Sequence, residues 1–266
     1  MADISRAEAL WWKLTVVLVG LFAVTLIGWL IDDRVIDRES VWAKPLKFEA
    51  SLAIHFATLA IALNAVSETS RWGSVVWAAA VASTAATVFE MLYILLQAAR
   101  QQPSHFNLSS GFYTAMYVAM AAGAVVITTA AGITGGAVLA GAKPGVAPAV
   151  RWGLALGLVG GTLLTLVTAF RMGGALNHHN GIEVTGGLRM PITGWSLTVG
   201  DRRVPHFLAT HLMQALPIAG AVAASVVSPA IALVGVFAFG VLWTAATLIT
   251  FAQANAGVPL TQWPFH

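Results

Sequence analysis

Seven runs of about twenty mostly apolar residues, separated by short polar segments, restrict this chain to very few architectures. Crossing roughly 30 Å of hydrocarbon as a helix takes about 20 residues. Backbone polar groups in lipid must also be satisfied within the segment that carries them. Each run therefore reads as a transmembrane helix, at about 10–31, 46–66, 74–97, 112–133, 152–172, 205–227 and 230–253. Composition agrees, with 58% of the 266 residues hydrophobic and 9% charged, far too apolar for a water-soluble domain. The expected fold is all-α: a polytopic bundle of about seven spans, forming a single transmembrane domain over 1–266 in a bacterial inner membrane. The first run is too long for a secretory h-region and lacks a small-x-small cleavage site, so it reads as a retained span.

The chain has no cysteine, which excludes disulfides, iron–sulfur clusters, thiolate zinc sites and covalently attached c-type haem. A metal would have to rest on His, Met, carboxylate or carbonyl groups. The net charge of +3 is small and spread over several loops, so nucleic acid is not an expected partner. The lipid bilayer is.

The most informative stretch is GDRRVPHFLATHLMQALP at 200–217, which brings charge, two histidines and a proline to the mouth of the sixth span. His211 and Gln214 share a helical face with Phe207 and Ile218, whereas His206 lies at the membrane edge. Pro217 removes a backbone donor and would free the Met213 carbonyl. Antiparallel alternation of the spans places every histidine in one half of the membrane. His105, His178, His179 and His266 fall in connections or the tail, and His55 and His211 fall within spans. Counted from the span ends, His55 lies roughly 14 Å deep, and His211 and Glu90 roughly 10 Å deep. Ionisable groups in hydrocarbon are unfavourable by about 2.5 kcal/mol or more, so they usually face the interior and serve a function.

Two main readings of these residues are drawn, beside a third in which the loop histidines hold a metal that activates water for a cofactor-free membrane hydrolase. In the first, His55 and His211 converge from facing spans as axial ligands of haem b, with Gln214 beside them. Arg100, Arg202, Arg203 and Lys47 would bind its propionates. Glu90 and Tyr93, on one stripe with Gln97, would carry protons. His206, His105, His178 and His179 form a second tier, able to hold copper or another transition metal. The protein would then be a membrane oxidoreductase or electron carrier, with quinone or another small carrier as partner. In the second, the same buried His, Glu and Arg residues make a proton- or ion-coupled transporter or channel. Plainer alternatives are polar-core histidines, solvated loop histidines, cations that snorkel, and a Glu90 that neutralises Lys47 or Arg171.

The segments KPLKFE at 44–49, FE…LLQAARQQPSHFN at 89–107 and the 200–217 stretch together resemble a family of bacterial multi-span membrane proteins. The resemblance covers most of the chain and implies a polytopic membrane fold; no catalytic role is carried over from it.

Three further expectations concern the connections. Residues 135–149 read as a flexible Gly, Pro and Ala linker, and the long 173–204 connection contains an ITGWSLTV run suited to a hairpin. Gly153, Gly157 and Gly161 form a small-residue ridge for close helix contact, for room beside a flat ligand, or for contact with a second copy in a homo-oligomer. Nine Lys and Arg residues lie on the histidine-bearing side against five on the other. The positive-inside rule would make the crowded side cytoplasmic, whereas cations held there by a cofactor fit either orientation.

Overall fold

The computed structural model describes residues 4–71, 73–182 and 186–262. Among these are eight α-helices, seven of them long and apolar enough to cross a membrane, and two pairs of two-residue strands. The all-α polytopic architecture expected from the apolar runs is the one adopted. The chain divides into two compact units, Met1–Val146 and Ala147–His266. His266 lies outside the described residues.

In the first unit, α1 (Arg6–Ile31) starts at Ser5, whose hydroxyl accepts from the Glu8 N–H, a standard N-cap. It leaves through Asp32, which Arg34 grips through both carboxyl oxygens. Those bonds hold the Asp32 carboxyl well below the usual carboxylate range. A hairpin of β1 (Val35–Ile36) and β2 (Glu39–Ser40) then leads to α2 (Ala43–Leu63). The short α3 (Glu68–Arg71), α4 (Ser74–Ala99) and α5 (Gly111–Ala140) follow. α1 packs on α2, α4 packs on α5, and α2 touches both α4 and α5. At one end Arg34 donates to the Ala99 carbonyl at 2.7 Å, and Gln101 Nε2 donates to the Val35 carbonyl at 2.9 Å. At the other end the Ser67 and Lys143 N–H groups bond the Gly141 and Ala65 carbonyls.

Two boundaries differ from the sequence reading. α2 begins at Ala43 and not near Leu46, so the KPLKFE segment is helical. Pro45 falls in the first turn, where its missing N–H is harmless. α5 continues to Ala140, so the first part of the supposed linker is helix. In hydrocarbon no water competes for the backbone, and glycines such as Gly135 and Gly136 are tolerated in a span.

In the second unit, α6 (Pro148–Gly174) and α8 (Pro229–Asn255) each open with a proline in the first turn. Both pack against α7 (Arg203–Val226). Between α6 and α7, β3 (His179–Asn180) pairs with β4 (Gly200–Asp201). The expected hairpin is present as a tight turn, with Met190 N–H on the Trp195 carbonyl and Leu197 N–H on the Leu188 carbonyl.

The glycine ridge of α6 is filled by α7. A Cβ at Gly157 would lie 2.7 Å from the Pro217 ring and 3.0 Å from the Leu212 carbonyl, and one at Gly161 would lie 2.5 Å from Met213. The ridge therefore serves helix contact within the unit, leaving no room there for a flat ligand. Gly157→Val and Gly161→Val are each expected to destabilise the detergent-solubilised protein by about 1–3 kcal/mol through overpacking. Gly20→Ala, with nothing within 4 Å of the added carbon, should leave a denaturation profile unchanged.

Candidate functional site

α4 turns an unusual face to the interior of the first unit. Ser83, Thr87, Glu90 and Gln97 are all buried along one side of it. At 1.5 Å per residue they draw a polar line about 21 Å long inside an apolar helix. At one end Trp11 Nε1 donates to Ser83 Oγ at 3.2 Å; at the other Gln97 Nε2 donates to the Pro103 carbonyl at 3.3 Å. Between them the polar atoms are left open. Thr87 Oγ1, Glu90 Oε1 and Gln97 Oε1 are buried without a hydrogen-bond partner, as is the neighbouring Thr84 Oγ1.

Elsewhere in the spans a buried hydroxyl satisfies itself on the carbonyl one turn back, as Thr15, Thr134, Thr162 and Thr247 do, the usual behaviour in helices. Thr87 departs from that habit beside the one carboxyl of α4.

Glu90 is 2% exposed and lies about 13 Å from the end of α4. Its carboxyl fits against α5 because residue 123 is glycine: a Cβ there would come 2.7 Å from Glu90 Oε1. One turn further along α5, the Ile127 backbone bonds the ring of His55. His55 Nε2 has no partner, so Nδ1–H donates that bond. Glu90 and His55 thus both face the Gly123–Ile127 turn. His55 is 7% exposed and deeper than its sequence position suggested, about 18 Å from the true start of α2. The cation in electrostatic reach of Glu90 is Lys44, whose ammonium also lies 5.8 Å from the Phe48 ring centre. The sequence reading offered Lys47 or Arg171 instead. Lys47 pairs with Glu39 at 2.7 Å, and Arg171 bonds Asn255. A second buried carboxyl of α2, Glu49, is fully enclosed. Its Oε1 accepts from Thr25 on α1 at 2.7 Å while Oε2 has no partner.

The remaining first-unit candidates lie nearer the membrane edge. His105 bonds Ser104 through Nδ1 and packs against Phe48 at 5.7 Å between ring centres. Tyr93 is buried, close to Tyr113 and Arg100, and Arg100 donates to the Tyr113 hydroxyl at 3.3 Å.

The second-unit candidates form a different kind of site. His211 donates from Nδ1 to the Phe207 carbonyl at 2.8 Å and stacks on the Phe207 ring at 3.9 Å. Trp195 meets Phe207 edge to face, 5.3 Å between ring centres. Thr168 gives its own hydroxyl hydrogen to a carbonyl of α6, so His206 Nδ1–H donates to Thr168 at 3.0 Å. Gln214 is half-buried.

Adjacent in sequence, His178 and His179 part ways: His178 Nδ1 meets Met172 Sδ at 3.5 Å, while His179 Nε2 lies 3.4 Å from Asp201. Asp201 is the hub of this end. It accepts from the Arg203 side chain at 2.6 Å and from the Arg203 and Ser196 backbone at 3.0 and 2.8 Å. Burial alone would raise its carboxyl, but the bonds from His179 and Arg203 outweigh that and hold it well below the usual range. Arg203 is thereby occupied. Arg202 is 5% exposed and donates to the His179 and Asn177 carbonyls and to Asn255. Burial, reinforced by the neighbouring Arg171, lowers its pKa.

Among the described residues no three His, Asp or Glu side chains are grouped so that they would hold a metal ion. His55 belongs to the first unit, and His206, His211, His178 and His179 belong to the second. Sequence reasoning missed Lys44 as the cation in electrostatic reach of Glu90, and it missed Gly123 and Asn255 altogether. Asn255 left one signal, an amide beside Gln253 at the close of the last apolar run. No protein-family model, no curated protein and no solved structure matches the chain.

The Asp201 cluster carries a pH dependence. A carboxyl held below its unfolded value stabilises the fold fully above the ordinary range near pH 4, and that contribution is lost as the pH falls through the folded value. The 175–202 connection should therefore resist proteolysis at pH 7 and loosen only in strong acid. Asp201→Asn should open it at neutral pH, at a cost of about 3 kcal/mol for leaving Arg203 without its partner.

Proposed function

We propose that the protein is a proton- or ion-coupled membrane transporter or channel whose titrating centre is Glu90 in the first unit. The observation that carries this reading is the unpartnered Oε1 of Glu90, sealed against Gly123 in the middle of a line of equally unpartnered polar atoms. A buried carboxyl oxygen without a donor is stabilised by taking a proton or a cation. Leaving one so placed costs folding energy, and a site that must exchange protons needs that vacancy.

Lys44 sets the charge against which Glu90 exchanges its proton. Gln97 and Thr87 extend the line toward the two ends of α4. His55, its Nδ1 fixed on Ile127, contributes a second exchangeable position at the same turn of α5.

A haem b or other metal-dependent redox function, with quinone or a similar carrier as partner, is the second reading. What favours it is the shared state of the histidines: His55 and His211 each donate Nδ1–H to a backbone carbonyl, as metal-bound imidazoles do. His55 itself does not fit the group, because its Nε2 has no accessible surface on which a porphyrin could lie. His211, half-buried, fits as a single imidazole ligand, through which a bound haem would supply one-electron exchange.

Proteoliposomes carrying an internal pH dye should show proton flux under an imposed gradient. Glu90→Gln should reduce it at least about tenfold, and Thr87→Val and Gly123→Ala severalfold. Flux no greater than that of empty liposomes would sink the transporter reading. In parallel, protein from haem-supplemented cells should show no Soret band; a band that His211→Ala removes would instead favour the redox reading.

A further inference from the structure

We propose that Arg171 and Arg202, gathered on Asn255 at one end of the second unit, form a binding site for a phosphate group, carried by an anionic phospholipid headgroup or by the free ion. The site is separate from Glu90 and does not depend on the function assigned there.

Three helix ends build it. Arg171 lies in the last turn of α6, Arg202 directly precedes α7, and Asn255 closes α8. Asn255 Nδ2 donates to the Phe251 carbonyl at 2.8 Å, which fixes the amide so that Oδ1 faces the arginines. It accepts from Arg171 Nε at 2.9 Å and from Arg202 Nε at 3.3 Å. Two guanidinium groups therefore share one neutral acceptor.

No carboxylate pairs with either of them among the described residues. The adjacent carboxyl, Asp201, is taken up by Arg203, His179 and the Ser196 N–H. Arg202 is held in place through NH1 by the His179 and Asn177 carbonyls and is 5% exposed, so it cannot swing into water to escape its neighbour. Among the described residues its NH2, and both terminal nitrogens of Arg171, make no hydrogen bond. Like charges this close repel. A bridging anion removes that repulsion, and the planar forks match phosphate oxygens.

The surroundings favour a lipid as the source. Leu163, Val167 and Phe170, which are 60%, 54% and 64% exposed, form an outward apolar stripe on α6 that runs up to Arg171. An acyl chain lying along that stripe brings its headgroup to the arginines. The competing account is that both cations only complement the carbonyl ends of α6 and α8. That account needs charge alone, with no fork and no ligand.

The test uses the full-length protein in neutral detergent, titrated at fixed ionic strength with short-chain phosphatidylglycerol, short-chain phosphatidylcholine and inorganic phosphate. Melting temperature and native mass spectrometry are the readouts. Phosphatidylglycerol should bind and raise Tm, with phosphatidylcholine at least about tenfold weaker. Stabilisation by inorganic phosphate equal to that by phosphatidylglycerol would keep the site and make the free ion its ligand. Arg171→Gln, an exposed substitution that leaves Arg202 and its loop contacts intact, should weaken binding about tenfold, and Arg171→Lys should weaken it by less. Should neither phosphatidylglycerol nor phosphate shift Tm beyond chloride, or should Arg171→Gln bind as tightly as the wild type, the site is overturned.

Discussion

Hydrocarbon offers no hydrogen bonds, and everything else in this protein follows from how its polar atoms cope with that. The backbone copes by being helical. Most hydroxyls cope by bonding the carbonyl one turn back, which lets Thr15, Thr134, Thr162 and Thr247 lie buried at little cost. Trp243 does likewise across helices, giving its Nε1–H to the Leu208 carbonyl at 2.8 Å. Against that background the unsatisfied atoms of α4 stand out. Thr87, Glu90 and Gln97 share one face of that helix, around its only carboxyl, opposite the glycine that lets the carboxyl in. Glu49 and His55 on α2 each leave one further such atom.

The two units manage their charges by different means. In the first, Asp32–Arg34 and Glu39–Lys47 pair at helix ends, and two buried carboxyls lie within the spans: Glu90 has only a distant cation, and Glu49 has a threonine. In the second, the charges collect at the helix ends and are tied together by short bonds: Asp201 to Arg203, Arg202 to loop carbonyls, Arg171 to Asn255. The described parts of the 175–202 connection are pinned by these contacts, and the Trp195–Phe207–His211 ring cluster adds an aromatic strap over the start of α7. A loop anchored this way is part of the scaffold, whereas a carboxyl left open in a span is available for chemistry.

Span number and type were legible in the sequence because a twenty-residue apolar run has one physical outcome in lipid. Boundaries were less so. α5 ran on through Gly135 and Gly136 because in hydrocarbon the usual helix-breaking penalty of glycine loses its solvent component, and α2 started early because Pro45 sits where a proline belongs. Depth along a span could be read by counting, which singled out Glu90, His55 and His211. What counting cannot give is the cross-helix partner. That Glu90 packs on Gly123 and has Lys44 as its distant cation, while Lys47 turns to Glu39, depends on how α2, α4 and α5 rotate against one another, and no single span encodes that.

The histidines show why a residue type on its own decides little. An imidazole in a span has two nitrogens, and the bond made by one determines what the other can do. His55, His206 and His211 all spend Nδ1–H, on Ile127, Thr168 and Phe207 respectively. All three are therefore set to accept at Nε2, and what they accept depends on the space in front of that atom. At His55 the space in front of that atom is closed, and the ring faces the same turn of α5 as Glu90 does. At His211 the ring is half-buried and its face is covered by Phe207, so only its edge is open to a ligand. Residues that the sequence presented as one matched pair thus lie in unlike surroundings, one closed and one open at its edge.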